Sequence, residues 1–169
     1  MRARQDERAR VRGAQRGSAS DLEALFRLYW PRAYRAAYLV THDAQAAEDI
    51  AQESFLAAIR ALDTFDRRRP FGPWLHRIVV NRSIDWARTR RLRAEVEVGE
   101  EVPSADPKAD LGGETVAALG RLAPEHRAVI VMRYLLEFTP GEIAEALDLP
   151  RGTVNSRLRR GLDALGEEL

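Results

Sequence analysis

Cysteine is absent from the 169 residues, which excludes disulfides and thiolate metal sites. Lysine occurs once, as Lys108, so the basic side chains are almost all arginine. The three histidines, His42, His76 and His126, lie far apart, and they read as packing or surface imidazoles rather than metal ligands. No apolar run approaches the roughly 20 residues of a membrane span, and no apolar signal core follows the Arg-rich N-terminus. Membrane insertion is therefore not expected, and a cytoplasmic location is. There is no Gly-rich phosphate loop, no nucleophile–base set and no carboxylate–His cluster. Neither an enzyme, nor a cofactor, nor a small-molecule substrate is expected. Strand-like alternation is missing too, apart from a short stretch around Val96 and Val98.

Charge is present in quantity but sorted into blocks. The net charge of +1 conceals +4 over residues 1–20, −3 over 21–65, +7 over 66–93, −5 over 94–113, −3 over 114–150 and +1 over 151–169. Basic blocks suit phosphates, and acidic blocks suit a basic protein partner or mutual screening.

The expected architecture is all-α, two small helical domains joined by a flexible acidic linker. Residues 1–19 are charged and poor in large apolar side chains, and they read as a disordered basic tail. Residues 20–93 form the first domain. Its first helix is capped by Ser20 or Asp21 and only mildly interrupted by Pro31. A second, over about 43–62, carries Ala47, Ile50, Ala51, Phe55, Ala58, Ile59 and Leu62 as an apolar stripe. The loop 65–73 contains two Pro and one Gly. A third helix then runs over about 74–93. Residues 94–113, with two Pro, three Gly and strong acidity, read as the linker. Residues 114–169 form the second domain, with helices over about 114–122, 124–136, 139–147 and from 150 or 151 onward.

Within the second domain, residues 139–160 read TPGEIAEALDLPRGTVNSRLRR. Thr139 and Glu142 match a capping box, and Pro140 suits a first helical turn. Ile143, Ala144, Leu147, Leu149, Val154 and Leu158 have the spacing of a helix-turn-helix. The outer face of its second helix offers Arg151, Thr153, Asn155, Ser156, Arg157, Arg159 and Arg160. Arg pairs with guanine, Asn with adenine, and Ser or Thr with a base or a phosphate. A solvated amphipathic helix is the plainer alternative. On the helix at 43–62, Asp49, Gln52 and Glu53 share a face opposite the apolar stripe, with Glu48 beside them. That face is either a solvated surface or a docking surface.

Three segments resemble the conserved regions of bacterial sigma factors. LGRLAPEHRAVIVMRYLLEFTPGEIAEAL, followed by Gly152, Thr153, Val154, Asn155, Ser156 and Arg157, is similar to their fourth region. DAQAAEDIAQESFLAAIRAL and FDRRRPFGPWLHRIVVNRSIDWARTRRLR are similar to their second region. Phe71, Gly72, Trp74, Leu75, Ile78, Asn81 and Asp85 match the motif, with Pro73 inserted. The third region and the N-terminal inhibitory region of larger members are missing, so the chain resembles the compact extracytoplasmic-function (ECF) class.

The resemblance implies a promoter-specificity subunit of RNA polymerase. Glu48, Asp49, Gln52 and Glu53 would dock on the β′ clamp coiled coil. Phe65 and Asn81 would line a pocket for an extruded −10 base, and Arg67, Arg68, Arg69, Arg77, Arg82 and Arg88 would track that strand. Arg133, Arg151, Thr153, Asn155, Ser156, Arg157 and Arg160 would meet the −35 duplex, with the second domain resting on the β flap. Asn155 replaces a usual basic residue, and Pro140 a frequent aromatic. Promoter DNA, core polymerase and an anti-sigma factor are the implied partners. Response-regulator output domains share much of the helix-turn-helix motif, so a stand-alone regulator is the competing reading of that half.

Overall fold

The computed structural model describes residues 2–96 and 112–168, and among these all regular structure is helical. The expected linker over 94–113 is met only at its ends, where the flanking helices run to Val96 and start at Gly113. The remainder lies outside the described residues.

Helix α2 (Ala19–Thr41) starts one turn earlier than the sequence suggests. Ser18, rather than Ser20 or Asp21, is its N-cap, its hydroxyl accepting from the Asp21 N–H at 3.3 Å. Pro31 stays inside the helix without ending it. His42, in the left-handed region at φ 55°, turns the chain into α3 (Ala44–Arg60). Asp43 caps α3 by accepting from the Ala46 N–H at 2.9 Å. A 3-10 turn (Leu62–Thr64) and a loop lead into α4 (Phe71–Val96). Leu25, Ala33, Ala37, Val40, Ile50, Phe55, Leu75 and Val79 fill the space between α2, α3 and α4, all but fully buried. Each large apolar side chain among them contributes about 1.5–3 kcal/mol. Most of the stripe read from the sequence is core, but Ile59 is left 39% exposed.

The N-terminal residues depart from expectation. Rather than a disordered tail, Arg2–Gln15 forms α1, which packs along α2. Val11 is 2% exposed and Ala14 lies against the core. Polar side chains do the rest. The Glu7 carboxylate accepts from the Tyr29 hydroxyl on α2 and from the Phe71 N–H at the start of α4, the latter at 2.7 Å. A carboxylate there also suits the positive end of the α4 dipole. Burial raises the Tyr29 pKa above its usual value, and the Glu7 hydrogen bond and charge raise it further. Gln15 donates from Nε2 to the carbonyls of Leu62 (2.8 Å) and Phe65 (3.2 Å). Two apolar residues are too few to register as a stripe, so pattern reading misses this helix. Glu7→Ala is expected to destabilise the fold by about 1–3 kcal/mol, because it orphans a half-buried hydroxyl and a helix-terminal N–H. Urea unfolding would measure the loss, with an unchanged midpoint overturning the anchoring role.

The C-terminal half comprises α5 (Gly113–Arg121), α6 (Pro124–Ile130), α7 (Pro140–Leu147) and α8 (Arg151–Glu168). The single helix expected over 124–136 instead passes into a π-turn at Val131–Leu135, closed by the Leu136 N–H on the Val131 carbonyl at 3.1 Å. Such bulges insert a residue and re-aim the side chains around them. Leu119, Ala128, Val129, Met132, Ile143 and Val154 form the core of this half. α5, α6 and the π-turn lie against α2, and α6 and α7 against α4.

Candidate nucleic-acid interface

The helix-turn-helix is built as its spacing suggests. Thr139 accepts from the Glu142 N–H, and the Glu142 carboxylate accepts from the Thr139 N–H at 2.7 Å, closing the capping box. These bonds hold the Glu142 pKa below its usual value. Asp148, at φ 52°, ends α7, and Ile143 and Val154, each 0% exposed, pin the two helices together. At 100° per residue, Arg151, Asn155 and Arg159 lie along one outward stripe of α8, with Ser156 and Arg160 beside it. Arg151, Asn155, Arg159 and Arg160 are exposed, whereas Thr153, Ser156 and Arg157 are half-buried. Arg159 lies on this outward stripe too, beside the residues of the expected −35 set. Arg133, just within the π-turn, is exposed; its guanidinium lies 5.9 Å from the Tyr134 ring and donates to the Phe138 carbonyl at 3.4 Å.

In the first half, Glu48, Asp49, Gln52 and Glu53 are all exposed on α3, on the side away from Ile50 and Phe55. Asp49 accepts from Gln45 Nε2 at 3.1 Å, and Glu53 pairs with Arg82 of α4 at 3.2 Å. Leu56, one turn further and 51% exposed, extends this face with an apolar patch. Sequence reading passed over Leu56 because it falls outside the buried stripe. An aliphatic side chain standing among carboxylates is the signal that could have found it.

The arginines are displayed on the loop before α4 and along its length. Arg67, Arg68, Arg69, Arg77, Arg82 and Arg88 are exposed. Arg68 and Asp66 pair at 3.1 Å, a bond that lowers the Asp66 pKa. Phe65 is 8% exposed, with its ring centroid 4.5 Å from that of Trp74 and 5.8 Å from that of Phe71. Its ring packs with these aromatic side chains at the start of α4. Asn81 is half-buried beside Arg77 on α4.

Comparison with known proteins accounts for both halves. The family model for Sigma-70 region 2 matches residues 25–93, and that for Sigma-70, region 4 matches residues 113–165. The ECF RNA polymerase sigma factor SigW of Bacillus subtilis (strain 168) is 32% identical, over 95% of this chain and 95% of its own. The chain belongs to the sigma-70 family. It is an alternative sigma factor of the ECF class, directing promoter-specific transcription. A match to region 2 is foreign to a stand-alone regulator, so that competing reading falls.

Solved structures that resemble this sigma factor include two bound to partner proteins. CnrH, in complex with the cytosolic domain of CnrY, superimposes with a TM-score of 0.70 at 27% identity, over 96% of each chain. The sigma factor RpoE of Bartonella quintana, in complex with the anti-sigma factor NepR, gives 0.74 at 23% identity, over 89% of this chain and 97% of that one, a likeness of fold.

In this sigma factor the two halves are closed upon each other. Asn81 donates from Nδ2 to the Ala146 carbonyl of α7 at 3.0 Å. Arg69 faces Glu145 at 3.7 Å, and Arg88 pairs with Glu125 at 2.6 Å. Burial works against the Glu125 charge, but the Arg88 hydrogen bond and the fields of Arg88 and Arg157 outweigh it and lower its pKa. Further round, the His42 ring is bonded through Nε2 to the Val116 carbonyl at 2.6 Å. Gly120 lies so close that a Cβ there would stand 2.7 Å from His42 Cδ2. Burial, with the Arg127 charge adding to it, lowers the His42 pKa. Three of the residues expected to meet −10 DNA (Arg69, Asn81 and Arg88) are thus engaged by the C-terminal half.

Proposed function

We propose that this sigma factor docks on core RNA polymerase through Glu48, Asp49, Gln52 and Glu53, with Leu56 at the C-terminal end of the contact, and that docking is coupled to separation of its halves. The observation that carries this reading is the position of that face. It is exposed on α3 while the −10 arginines are partly engaged by α6 and α7. Carboxylates aligned beside an aliphatic residue suit the basic coiled coil of the β′ clamp, where Arg partners make bidentate bonds.

Once the halves part, Arg67, Arg68, Arg69, Arg77, Arg82 and Arg88 follow the backbone of the melted −10 strand. Asn81, freed from Ala146, offers its amide to an unstacked base. The outward stripe of α8, with Arg133 near it, enters the −35 major groove while the second domain rests on the β flap. The protein acts by recruitment and not by turnover, and in the cytoplasm. Among the described residues no helix is long and apolar enough to cross a membrane. An anti-sigma factor is a further partner; CnrH is bound by the cytosolic domain of CnrY.

Run-off transcription with core polymerase on a promoter library tests the whole reading: specific transcripts are expected with the chain and none without it. In the same assay Asn81→Ala should impair strand opening while −35 duplex affinity is kept. Equal loss in both steps would remove Asn81 from −10 recognition. Asn155→Ala is expected to cost about 1–3 kcal/mol on the preferred −35 duplex and nearly nothing on one altered at the contacted base pair. A uniform loss across sequences, measured by fluorescence anisotropy, would make Asn155 a backbone contact.

A further inference from the structure

A cavity of about 640 Å³ lies between the two halves. Its walls come from the α2–α3 junction, the C-terminal part of α4, α5 and the start of α6. Among the described residues, its lining includes Arg90, Arg91, Arg121 and Arg127 together with the carboxylate of Asp43. Asp43 is already committed: Oδ1 caps α3, and Oδ2 accepts from Arg90 Nη1 at 2.9 Å. Arg90 also lies over the Trp86 ring, 5.0 Å from its centroid. Arg91 reaches outward to Glu95 at 3.5 Å, both well exposed.

Arg127 is the anomaly. It is 7% exposed, and among the described residues its Nε has no hydrogen-bond partner, while Nη1 reaches His42 Nδ1 at 3.3 Å. A buried guanidinium is costly unless an anion accompanies it. The described carboxylate whose charge reaches it is Glu125, which is taken by Arg88 at 2.6 Å. Burial pulls the Arg127 pKa down to about 10, in keeping with a cation that none of the described carboxylates pairs. The cavity volume falls in the usual range for small-molecule sites, about 300–1,000 Å³.

We propose that this cavity binds a small phosphorylated anion, whose oxygens pair with Arg127 and with Arg91 across the junction of the two halves. Phosphate oxygens match the planar fork of a guanidinium. A ligand held from α4 on one side and α6 on the other stabilises the closed arrangement by mass action. The same chemistry is offered by free phosphate and by a nucleotide. The size of the cavity leaves room beside the anion, with Trp86 in its wall.

The test titrates the full chain with inorganic phosphate, pyrophosphate and ADP by calorimetry, with ionic strength held constant by chloride. One saturable site is expected. A site for free phosphate would bind inorganic phosphate best, and a nucleotide site would bind ADP at least about tenfold more tightly. Arg91→Gln and Arg127→Gln should each weaken binding at least about tenfold, while Arg27→Gln, on the exposed surface of α2, leaves it unchanged. Arg91 is exposed enough that its replacement does not endanger the fold, so it decides the matter should Arg127→Gln fail to fold. Absence of saturation up to about 10 mM of all three probes, or equal binding by wild type and Arg91→Gln, overturns the proposal.

Discussion

A chain carrying Asp49→Lys, Gln52→Ala and Glu53→Lys is expected to bind core RNA polymerase at least about 100-fold more weakly, because interface anchors cost about 2 kcal/mol or more each when lost and reversed charges repel a basic partner. The side chains are exposed on α3, so their removal leaves the core between α2, α3 and α4 untouched. The internal ties at stake are Glu53 with Arg82 and Asp49 with Gln45, all exposed side chains, and pairs of that kind contribute little. Helical content and −35 duplex binding should therefore be preserved. Leu56→Ala should add to the loss by removing the apolar patch that extends the face. Fluorescence-detected association with purified core enzyme measures the effect. Full affinity in the triple variant would transfer polymerase docking to another surface.

The second large effect is on stability against pH. His76 is 4% exposed, its Nε2 has no hydrogen-bond partner, and its ring meets that of Tyr29 edge-on at 6.0 Å between centroids. Burial, helped by the nearby Arg32 charge, lowers its pKa from 6.5 to about 4. The unfolded chain therefore takes up a proton at this residue where the folded chain does not. The contribution is fully present above pH 6.5 and is lost as pH falls from there toward 4, reaching about 3 kcal/mol. The lowered pKa of His42 acts in the same direction. The lowered pKa values of Glu125 and Glu142 add stability that is present above their ordinary value of 4.5 and is lost as pH falls below it. Urea unfolding at pH 7.5 and 5.0 should show the fall, and His76→Leu should flatten most of it. An undiminished slope in that variant would mean that other groups carry the dependence.

The sequence was most informative wherever structure follows from neighbours along the chain. Thr139 caps α7 as its position suggests, and Ile143, Val154 and Phe55 are buried because their spacing matches a helix turn. The exposed α3 face was legible for the same reason: whatever lies opposite a buried stripe faces outward. What depends on distant residues was not legible. α1 is held by Glu7 and Gln15 bonding groups 22 to 64 residues away, and a hydropathy pattern carries no trace of such bonds. The packing of Phe65 with Trp74 and Phe71 shows only once the chain is folded. The closure of the halves rests on scattered polar pairs such as Arg88 with Glu125. In sequence, these read simply as surface charge.

The tethering of α1 has a practical corollary. Glu7 occupies the start of α4 and Gln15 grips the backbone that leads to Phe65. A chain trimmed to residue 19, as pattern reading alone would recommend, loses the brace over its aromatic nest. The arginine loop that follows would then be hung from a loosened frame. Truncation at the N-terminus would thus register first as poor promoter melting, far along the chain from the cut.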